Sequence, residues 1–379
     1  MSAPPILIAT ARESVTRMSL SEALALGPAV WDEIETQAES RSPFMSWAWH
    51  RAFADADVEA GASRALVLRT GTGVQAILPL MSRQIGFHRV PVRALTWAIG
   101  DRGCPDHLDV LATPAADVTA LVPLVEELEW DVIVLSNLAP NAPVALRFTQ
   151  AMAARGHATQ RQPLWVCPYL DLSGDWERYL ASLSRSRRHA LRYMEKNLRR
   201  HHTVSITDYD GERVEEGWRR LVTLHERRWG ADAAGRREGA FRDPSVDRLH
   251  RRFTAELAQR GQLWLTTLDL DGEPAAAWYG FTCGDTAYFY QSGRDPRWER
   301  ESVGQVLLAA MIRRAMERGL KRFDFLRGED PYKRQWTTAG KTTEEITIFR
   351  RGLRGRWLRG VEALARLRAR LRRNGGGNA

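Results

Sequence analysis

The chain has 379 residues, of which 44% are hydrophobic and 27% charged; this composition excludes a disordered or fibrous protein and is typical of globular ones. Its formal net charge of +9 raises the question of nucleic-acid binding. Residues 351–373 carry nine Arg and one Glu (+8), so the remainder has +9 − 8 = +1, and residues 185–202 alone carry six Arg, one Lys and one Glu (+6). The positive charge is therefore confined to two segments, which disfavours a general nucleic-acid-binding fold.

Export, membrane spanning and metal binding find little support in the sequence. Residues 4–9 are apolar but short and lack a basic lead, and no run approaches the roughly 18 apolar residues of a membrane span. Cys104, Cys167 and Cys283 are widely spaced and odd in number, which predicts reduced thiols in a cytoplasmic protein. His and Cys show no zinc-site spacing, so we expect no metal.

The first half of the chain predicts helices alternating with strands. A helix follows the Ser-Pro start at residues 43–55. The periodicity then predicts strands and two helices, namely strands over 65–69, 74–80, 92–99, 107–111 and 131–136, helices over 121–128 and 144–155, and an extended segment over 164–170.

The second half repeats this order of elements. Helices are predicted over 218–229 and 245–260, a hairpin over 263–282 with the two-residue turn Asp271-Gly272, and later elements as a strand over 286–291, a helix over 303–318 and strands over 323–326 and 345–349. We interpret the chain as two copies of one α/β unit, residues 1–172 and 173–350, followed by a basic amphipathic helix and disordered tail over 351–379.

The most informative stretch for chemistry is residues 286–336, where a strand, an irregular loop, a helix and a second strand follow one another. The helix begins at Val303, and its unpaired N–H groups and dipole make its start an anion site. Gly304 lets a phosphate approach the backbone, and Ser302 is expected to cap the helix and contact the anion. A strand-loop-helix of this kind predicts a phosphate-bearing ligand.

These segments resemble the acyl-CoA-binding core of the GNAT acetyltransferase superfamily, where the pyrophosphate lies on Arg/Gln-x-x-Gly-x-Gly/Ala. The corresponding run here is residues 299–306, with Ser302 in place of the first Gly. A closer resemblance is to the BioF2-like or CelD-type acetyltransferases, related to the Fem peptidyltransferases, and is carried by SPF at 42–44, WAW at 47–49, DHLD at 106–109, SRSRRHALRYMEKNLRR at 184–200, HERRW at 225–229, YQSG at 290–293 and FDFLRGEDPYKRQW at 323–336. It covers roughly residues 40–350.

The resemblance implies two tandem GNAT-like domains, each a mixed sheet flanked by helices, with the acyl-donor site in the second. The implied reaction is direct attack of a substrate amine or hydroxyl on the thioester of acetyl-CoA or another acyl-CoA. The implied donor-binding residues are Gln291, Ser292, Gly293, Ser302, Val303, Gly304 and Gln305. Candidate acid–base residues are Asp324, Glu329, Asp330 and Tyr332, and candidate substrate-binding residues are Asp106, His107, Trp229, Lys333, Arg334 and Trp336.

Two basic helices leave alternatives open. In residues 185–202, Leu183, Ala190, Leu191, Met194 and Leu198 form an apolar stripe, and the arginines form either a solvated face or a clamp for an anionic donor, nucleotide sugar or tRNA. In residues 351–373, Trp357, Leu358, Val361, Leu364, Leu367 and Leu371 share one face, which predicts either contact with an anionic membrane or partner protein, or a packed terminal helix.

Three functions are therefore weighed. The first is an acyl-CoA-dependent N- or O-acyltransferase acting on a small metabolite, sugar or envelope or exopolysaccharide precursor. The second is Fem-like aminoacyl transfer from charged tRNA, and the third is a non-catalytic scaffold of a polysaccharide-synthesis complex. Binding of coenzyme A separates the first from the others.

Overall fold

The computed structural model describes residues 14–56, 63–71, 73–229 and 239–375. Residues 4–9, weighed above as an export signal, and residues 376–379 of the expected tail lie outside the described residues. The strands in the described part of the chain are β1 (Ser14–Ser19), β2 (Ser63–Thr70), β3 (Gly73–Phe87), β4 (Val90–Trp97), β5 (Leu111–Ala112), β6 (Val132–Leu138), β7 (Ala158–Asp171), β8 (Val204–Asp208), β9 (Leu263–Leu270), β10 (Glu273–Cys283), β11 (Thr286–Arg294), β12 (Arg322–Asp324) and β13 (Gly340–Phe349).

The helices alternate with these strands, as the sequence pattern predicts. They are α1 (Leu20–Leu24), α2 (Pro28–Gln37), α3 (Trp47–Ala56), α4 (Val122–Glu127), α5 (Pro143–Ala154), α6 (Trp176–Ser182), α7 (Arg185–His201), α8 (Val214–Arg228), α9 (Pro244–Gln259), α10 (Val303–Glu317) and α11 (Leu353–Gly375).

Local sequence accounts for several element boundaries. The Asp243 side chain accepts the Ser245 N–H at the start of α9, and Gly261 follows that helix with a φ of +64°, which only glycine adopts without strain. Asp271 and Gly272 both have positive φ, 52° and 87°, and join β9 to β10 in the two-residue turn expected from the sequence.

The strands form one continuous mixed sheet in the order β1-β2-β3-β4-β6-β13-β7-β12-β11-β10-β9-β8, with β5 paired to β3. β7 belongs to both halves, because its first eleven residues pair with β13 and its last three pair with β12. β13, at the end of the second unit in sequence, lies between β6 and β7. The last strand of the second unit thus completes the first unit's part of the sheet.

The expected strand over residues 107–111 is wrong in most of its length. Only Leu111 and Ala112 form a short strand, and Leu108 makes a single bridge to Leu138. His107 has a φ of 57°, a left-handed conformation that interrupts extended backbone. The segment is therefore a buried loop, in which His107 contacts the second half and Asp109 contacts the start of α5 in the first.

Helices cover both faces of the sheet, and one hydrophobic core runs through both halves. Trp49 of α3 packs edge-on against Phe253 of α9 with ring centroids 4.8 Å apart, and Phe44 packs against Phe281 of β10 at 5.7 Å. Full burial of one phenylalanine stabilises by about 1.5–3 kcal/mol. A second core beneath α7 and α10 covers the opposite face of the C-terminal strands. The α/β class predicted from the sequence is confirmed.

No helix of the described residues is long and apolar enough to cross a membrane. α11 packs on the sheet through Leu358, which is buried with Val92, Val132 and Phe349. The expected single face is therefore divided: Leu358 points inward, whereas Trp357 on the neighbouring position is 54% exposed.

Candidate functional site

The gap between β11 and β12 forms the centre of the site. These parallel strands pair over only three positions, from Thr286 opposite Arg322 to Tyr288 opposite Asp324. β12 then ends while β11 continues along β10 to Arg294. Ligand crevices form beyond the carboxyl ends of strands that separate in this way. Two adjoining cavities lie there.

The first cavity, called here the α10 pocket, lies at the start of α10 and has a volume of about 440 Å³. Six of the seven residues expected to bind a donor line it, namely Ser292, Gly293, Ser302, Val303, Gly304 and Gln305. The seventh, Gln291, lines the neighbouring cavity. The structure therefore brings together the residues that the sequence groups around one ligand.

The start of α10 is open because the residue before it, Ser302, does not cap the helix. Ser302 has a left-handed backbone, φ 54° and ψ 33°, and its side chain makes no capping hydrogen bond. The expectation that Ser302 caps the helix is wrong, since capping requires an extended backbone. The Ser302 carbonyl accepts the Gln305 and Val306 N–H groups. The N–H groups of Val303 and Gly304 have no acceptor within the helix, and both residues line the pocket.

Gly293 and Gly304 both line the α10 pocket, but the lack of a side chain serves packing at one and ligand space at the other. A Cβ at Gly293 would lie 2.4 Å from the His225 backbone nitrogen and 2.6 Å from the Leu224 carbonyl carbon, so β11 can approach α8 only without a side chain. At Gly304 the nearest atom, Arg294 Cδ, would be 3.8 Å away, an ordinary contact. Gly304 therefore leaves room in the pocket rather than solving a packing problem.

The second cavity, called here the interdomain cleft, has a volume of about 380 Å³. Its walls combine residues of the loop before β5, of β11 and of the segment after β12: Asp101, Arg102, Gly103, Cys104, Asp106, Tyr290, Gln291, Phe325, Leu326, Arg327, Asp330 and Lys333. Arg228, Phe289, Ser292 and Tyr332 line both cavities. The two cavities therefore meet at these four side chains.

Hydrogen bonds across the cleft join the two halves. The Tyr290 hydroxyl donates to the Gly103 carbonyl at 2.6 Å and lies 3.0 Å from His250 Nε2. Burial lowers the pKa of His250 to about 3, so this imidazole is neutral and accepts the hydroxyl proton when that proton turns toward it. The bond fixes the end of β11 against the N-terminal half.

Two buried charge contacts underlie the cleft. Arg327 donates its Nε to Asp106 Oδ1 at 2.8 Å and its backbone N–H to Oδ2 at 2.9 Å. His107 Nε2 lies 3.2 Å from Asp324 Oδ2, and Asp324 Oδ1 accepts the Leu326 N–H. Burial acts to lower the pKa of His107, but the negative charges of Asp324 and Asp106 outweigh it and raise that pKa. Asp106 and His107 thus bind the second half of the protein.

The second half of the chain is similar to a known protein family. Residues 185–334 match the family model of the acetyltransferase (GNAT) domain. The match supports an acyltransferase and spans the whole α10 pocket. No curated protein matches the sequence.

Solved structures are similar over most of the chain. A FemX crystal structure has a TM-score of 0.58 at 11% identity, covering 88% of this chain and 96% of FemX. L-PGS from Bacillus licheniformis has 0.54 at 9%, covering 86% and 93%. The C-terminal domain of a proposed lysylphosphatidylglycerol synthetase from Agrobacterium fabrum has 0.54 at 13%, covering 93% and 97%. At such low identity the likeness concerns the fold alone.

The loop after β12 carries the remaining candidate acid–base residues, and they lie in different surroundings. Asp330 lines the cleft, and Tyr332 lies where the two cavities meet. Glu329 pairs with Arg334 at 2.9 Å, with both side chains more than half exposed, and neither lines a cavity. Asp330 and Tyr332 therefore lie at the cavities, whereas Glu329 and Arg334 lie outside them.

Lys333 and Trp336 are buried beneath this loop. Lys333 Nζ donates to the Arg327 carbonyl at 2.7 Å and lies 3.4 Å from Asp330; burial lowers its pKa and Asp330 partly opposes that. The Trp336 ring lies 4.8 Å below the Arg187 guanidinium. Trp336 therefore supports the loop from below and does not face the cavities.

Sequence reasoning missed Arg228, which lies at the junction of the cavities. Its Nη1 donates to Ser292 Oγ at 2.6 Å, and its guanidinium lies 4.7 Å from the ring of Trp229, another cleft residue. The end of α8 is held by His225, which donates Nδ1–H to the Ser292 carbonyl and accepts the Ala240 N–H at Nε2. The sequence indicated a role for Arg228 only through its position beside Trp229 in the HERRW segment.

Arg187 of α7 is a second missed residue. Its Nη2 donates to Gln305 Oε1 at 2.7 Å at the start of α10. The basic helix thus places one guanidinium beside the α10 pocket, while Leu191 and Leu198 of its predicted apolar stripe are buried. Among the described residues, no cluster of His, Cys, Asp and Glu is suited to a metal ion.

Proposed function

We propose that the protein is an acyl-CoA-dependent N- or O-acyltransferase of the BioF2-like or CelD-type, acting on a small metabolite, sugar or envelope or exopolysaccharide precursor. One observation carries the proposal: an uncapped helix start lies in a cavity that opens directly into a second cavity between two separated parallel strands. This arrangement suits a long ligand whose anionic end is held at the helix and whose reactive end reaches the cleft.

The donor would lie along the α10 pocket. The Val303 and Gly304 N–H groups and the dipole of α10 suit its pyrophosphate, with the Arg294 side chain close by. The pantetheine arm would pass along the backbone of Gln291, Ser292 and Gly293. The thioester would then reach the junction at Arg228, where N–H donors are available for the carbonyl oxygen.

The acceptor would enter through the interdomain cleft and attack the thioester carbonyl directly, forming the new C–N or C–O bond as the C–S bond breaks. Burial raises the pKa of Tyr332 well above its usual value, so its hydroxyl stays protonated and would stabilise the departing thiolate as a hydrogen-bond donor, while the thiolate takes up the proton that the acceptor has released. The Asp330 carboxylate lines the same cleft and can accept the proton from the acceptor. Asp324 positions His107, and Glu329 lies outside the cavities.

The N-terminal unit, residues 1–172, would shape the acceptor side of the cleft, and residues 173–350 would bind the donor. The contacts of Gly103 with Tyr290 and of Asp106 with Arg327 support this division of roles. In this proposal the protein works in the cytoplasm, and residues 351–373 contact the membrane or a partner protein.

The test is calorimetric titration with acetyl-CoA and longer acyl-CoAs, using Gly304→Glu and a control, Gly86→Glu. Both glycines have space for a side chain, since an added Cβ at Gly86 meets no atom within 4 Å, and both variants should fold. We expect the Gly304 variant to lose binding, because a carboxylate then occupies the anion site, while the Gly86 variant binds like the wild type. Absence of binding by folded wild-type protein contradicts the proposal.

A second candidate function is Fem-like aminoacyl transfer from charged tRNA. Two observations favour it: the similarity to structures named FemX and L-PGS, and five exposed cations on α7, namely Arg185, Arg192, Lys196, Arg199 and Arg200. It predicts strongly salt-dependent tRNA binding that an Arg199→Glu, Arg200→Glu variant loses. Binding of neither acyl-CoA nor tRNA would support the scaffold function.

A further inference from the structure

The exposed face of α11 is the most unusual surface of the molecule. Among the described residues, eight large hydrophobic side chains are exposed, and five of them lie on this helix: Leu353, Trp357, Leu364, Leu367 and Leu371. Their spacing of four, seven, three and four residues places them along one line of a helix. We call this line the α11 stripe; it is about 27 Å long at 1.5 Å per residue.

The opposite face of α11 is fixed to the body of the protein. Leu358 is fully buried. Glu362 is also buried and forms charge contacts with Arg366, at 2.6 Å, and with His88. Near its start, Arg354 pairs with Asp131 at 2.6 Å. These contacts are more than a turn apart, so the helix is held in one orientation with the stripe pointing outward.

Arginines border the α11 stripe on both sides. By helical position Arg356 and Arg359 lie on one side and Arg368 on the other, and all three are exposed. Arg354, also exposed, lies on the side of Arg368 but is paired with Asp131. Residues 353–375 contain eight Arg and a single acidic residue, Glu362, which is buried. The exposed surface of the helix is therefore apolar in its centre and positive at its edges.

From this pattern we infer that α11 binds the surface of an anionic lipid bilayer, with the stripe inserted among the acyl chains and the arginines on the headgroup phosphates. An interfacial helix has an apolar face of this width, bordered by cations whose aliphatic stems lie along the hydrocarbon boundary. Trp357 suits the same boundary, since indole prefers the interface. This inference does not depend on the proposed acyl transfer.

The charge of the helix argues against a second copy of the chain as the occupant. In a two-fold dimer formed by two α11 stripes, each helix presents the same bordering arginines to its partner. The helix itself offers no exposed carboxylate to pair with them, so like charges would face one another. A phosphate-rich lipid surface provides the complementary charge along both borders at once.

The test is flotation of the full-length protein with vesicles of phosphatidylcholine alone or mixed with phosphatidylglycerol. We expect binding to the mixed vesicles only, weakened by added salt. The variant Leu364→Ser with Leu367→Ser removes two exposed side chains and should weaken binding about 100-fold, about tenfold for each leucine. Its unfolding temperature should stay close to that of the wild type, because neither side chain is buried.

Trp357→Ser and Trp165→Ser provide a matched pair, since both indoles are about half exposed, 54% and 46%, and only Trp357 lies on α11. The Trp357 variant should lose most vesicle binding, and the Trp165 variant should keep it. Equal binding by the two variants, or no binding of the wild type to anionic vesicles, overturns the inference. A dimer seen in sedimentation that the leucine variant abolishes, without vesicle binding, also overturns it and assigns the stripe to self-association.

Discussion

Each half of the molecule contains a pair of parallel strands with a helix between them in the chain, and the two pairs end differently. In the first half, β4 and β6 pair over three positions, and the chain itself fills the space beyond. Leu108 N–H donates to the Asn137 carbonyl and Ala139 N–H to the Leu108 carbonyl, both at 2.8 Å. In the second half, β11 and β12 separate and leave two cavities.

The helix starts differ in the same way. In the first half, the Asp117 carboxylate accepts the Thr119 N–H at the start of the 3-10 helix Val118–Leu121 that leads into α4, and the buried Asp109 accepts the Val144 and Ala145 N–H groups at the start of α5. A carboxylate of the protein therefore occupies these positions. At the start of α10, by contrast, the Ser302 side chain accepts no backbone N–H group of the helix. The same fold thus either supplies a carboxylate at a helix start or leaves that start open, depending on a few loop residues.

The largest effect is expected from breaking the contact between the halves. Asp106→Asn removes the buried carboxylate that Arg327 binds at 2.8 Å and leaves this arginine only the exposed Asp101, which costs about 3–5 kcal/mol of unfolding free energy. Asp101→Asn is the control, since Asp101 lies 3.5 Å from the same arginine but is 71% exposed, and should lose less than about 1 kcal/mol. Urea unfolding followed by tryptophan fluorescence measures both, and equal losses would contradict the assignment of Asp106 as the buried partner.

The two glycines of the α10 pocket sharpen the contrast between packing and ligand space. Gly293→Ala forces β11 away from α8 and should lose about 1–3 kcal/mol of stability, together with acyl-CoA binding. Gly304→Ala should leave stability unchanged or raise it by up to about 1 kcal/mol, because alanine favours a helix. Thermal unfolding and calorimetric titration of both variants test this, and a stable Gly293→Ala protein would refute the close approach.

His107→Gln should reduce stability by an amount that depends on pH, because the folded-state pKa of His107 is raised. The stabilisation is fully present below the ordinary histidine pKa of about 6.5 and is lost as pH rises through the higher folded value. We expect a loss of about 2 kcal/mol in mildly acidic solution that shrinks in alkaline solution. Asp324, Asp106 and Lys341 all act on this imidazole, so a loss that grows with pH would show that another group dominates.

The smallest effects concern the helix starts. Asp117→Ala should cost about 1 kcal/mol, the usual value of a cap, whereas Ser302→Ala should cost almost nothing in capping. Ser302→Gly should stabilise by about 1 kcal/mol, since glycine adopts the left-handed backbone without strain. Chemical unfolding of the three variants checks this order, and a Ser302→Gly protein less stable than wild type would contradict it.

Local patterns predicted most elements and the group of residues around the start of α10. The turn at Asp271 and the helix at Val303 follow from short-range preferences, so they could be derived from one sequence. Arg228 could not, because an arginine in the last turn of a helix has several ordinary roles. The left-handed backbone of Ser302 could not be derived from the sequence either, although the motif Arg/Gln-x-x-Gly-x-Gly/Ala has glycine at that position.

The position of β13 was not predictable for a different reason. Strand pairing between distant segments leaves no periodic signal, and Ile346 is apolar whichever neighbours it has. The buried contact of Asp106 with Arg327 joins residues 221 positions apart, and nothing in the spacing of the two residues indicates it. Pairings of this kind are determined by the complete fold.

The insertion of β13 between β6 and β7 also orders events during synthesis. β13 pairs with β7 across more than 170 residues, from Phe349 opposite Ala158 to Gly340 opposite Pro168. While the chain is still emerging from the ribosome, β6 and β7 have unpaired edges, which invite pairing with other chains. The N-terminal unit can complete its sheet only after the last strand has been translated, so folding is slow, and nascent chains need protection from aggregation until then.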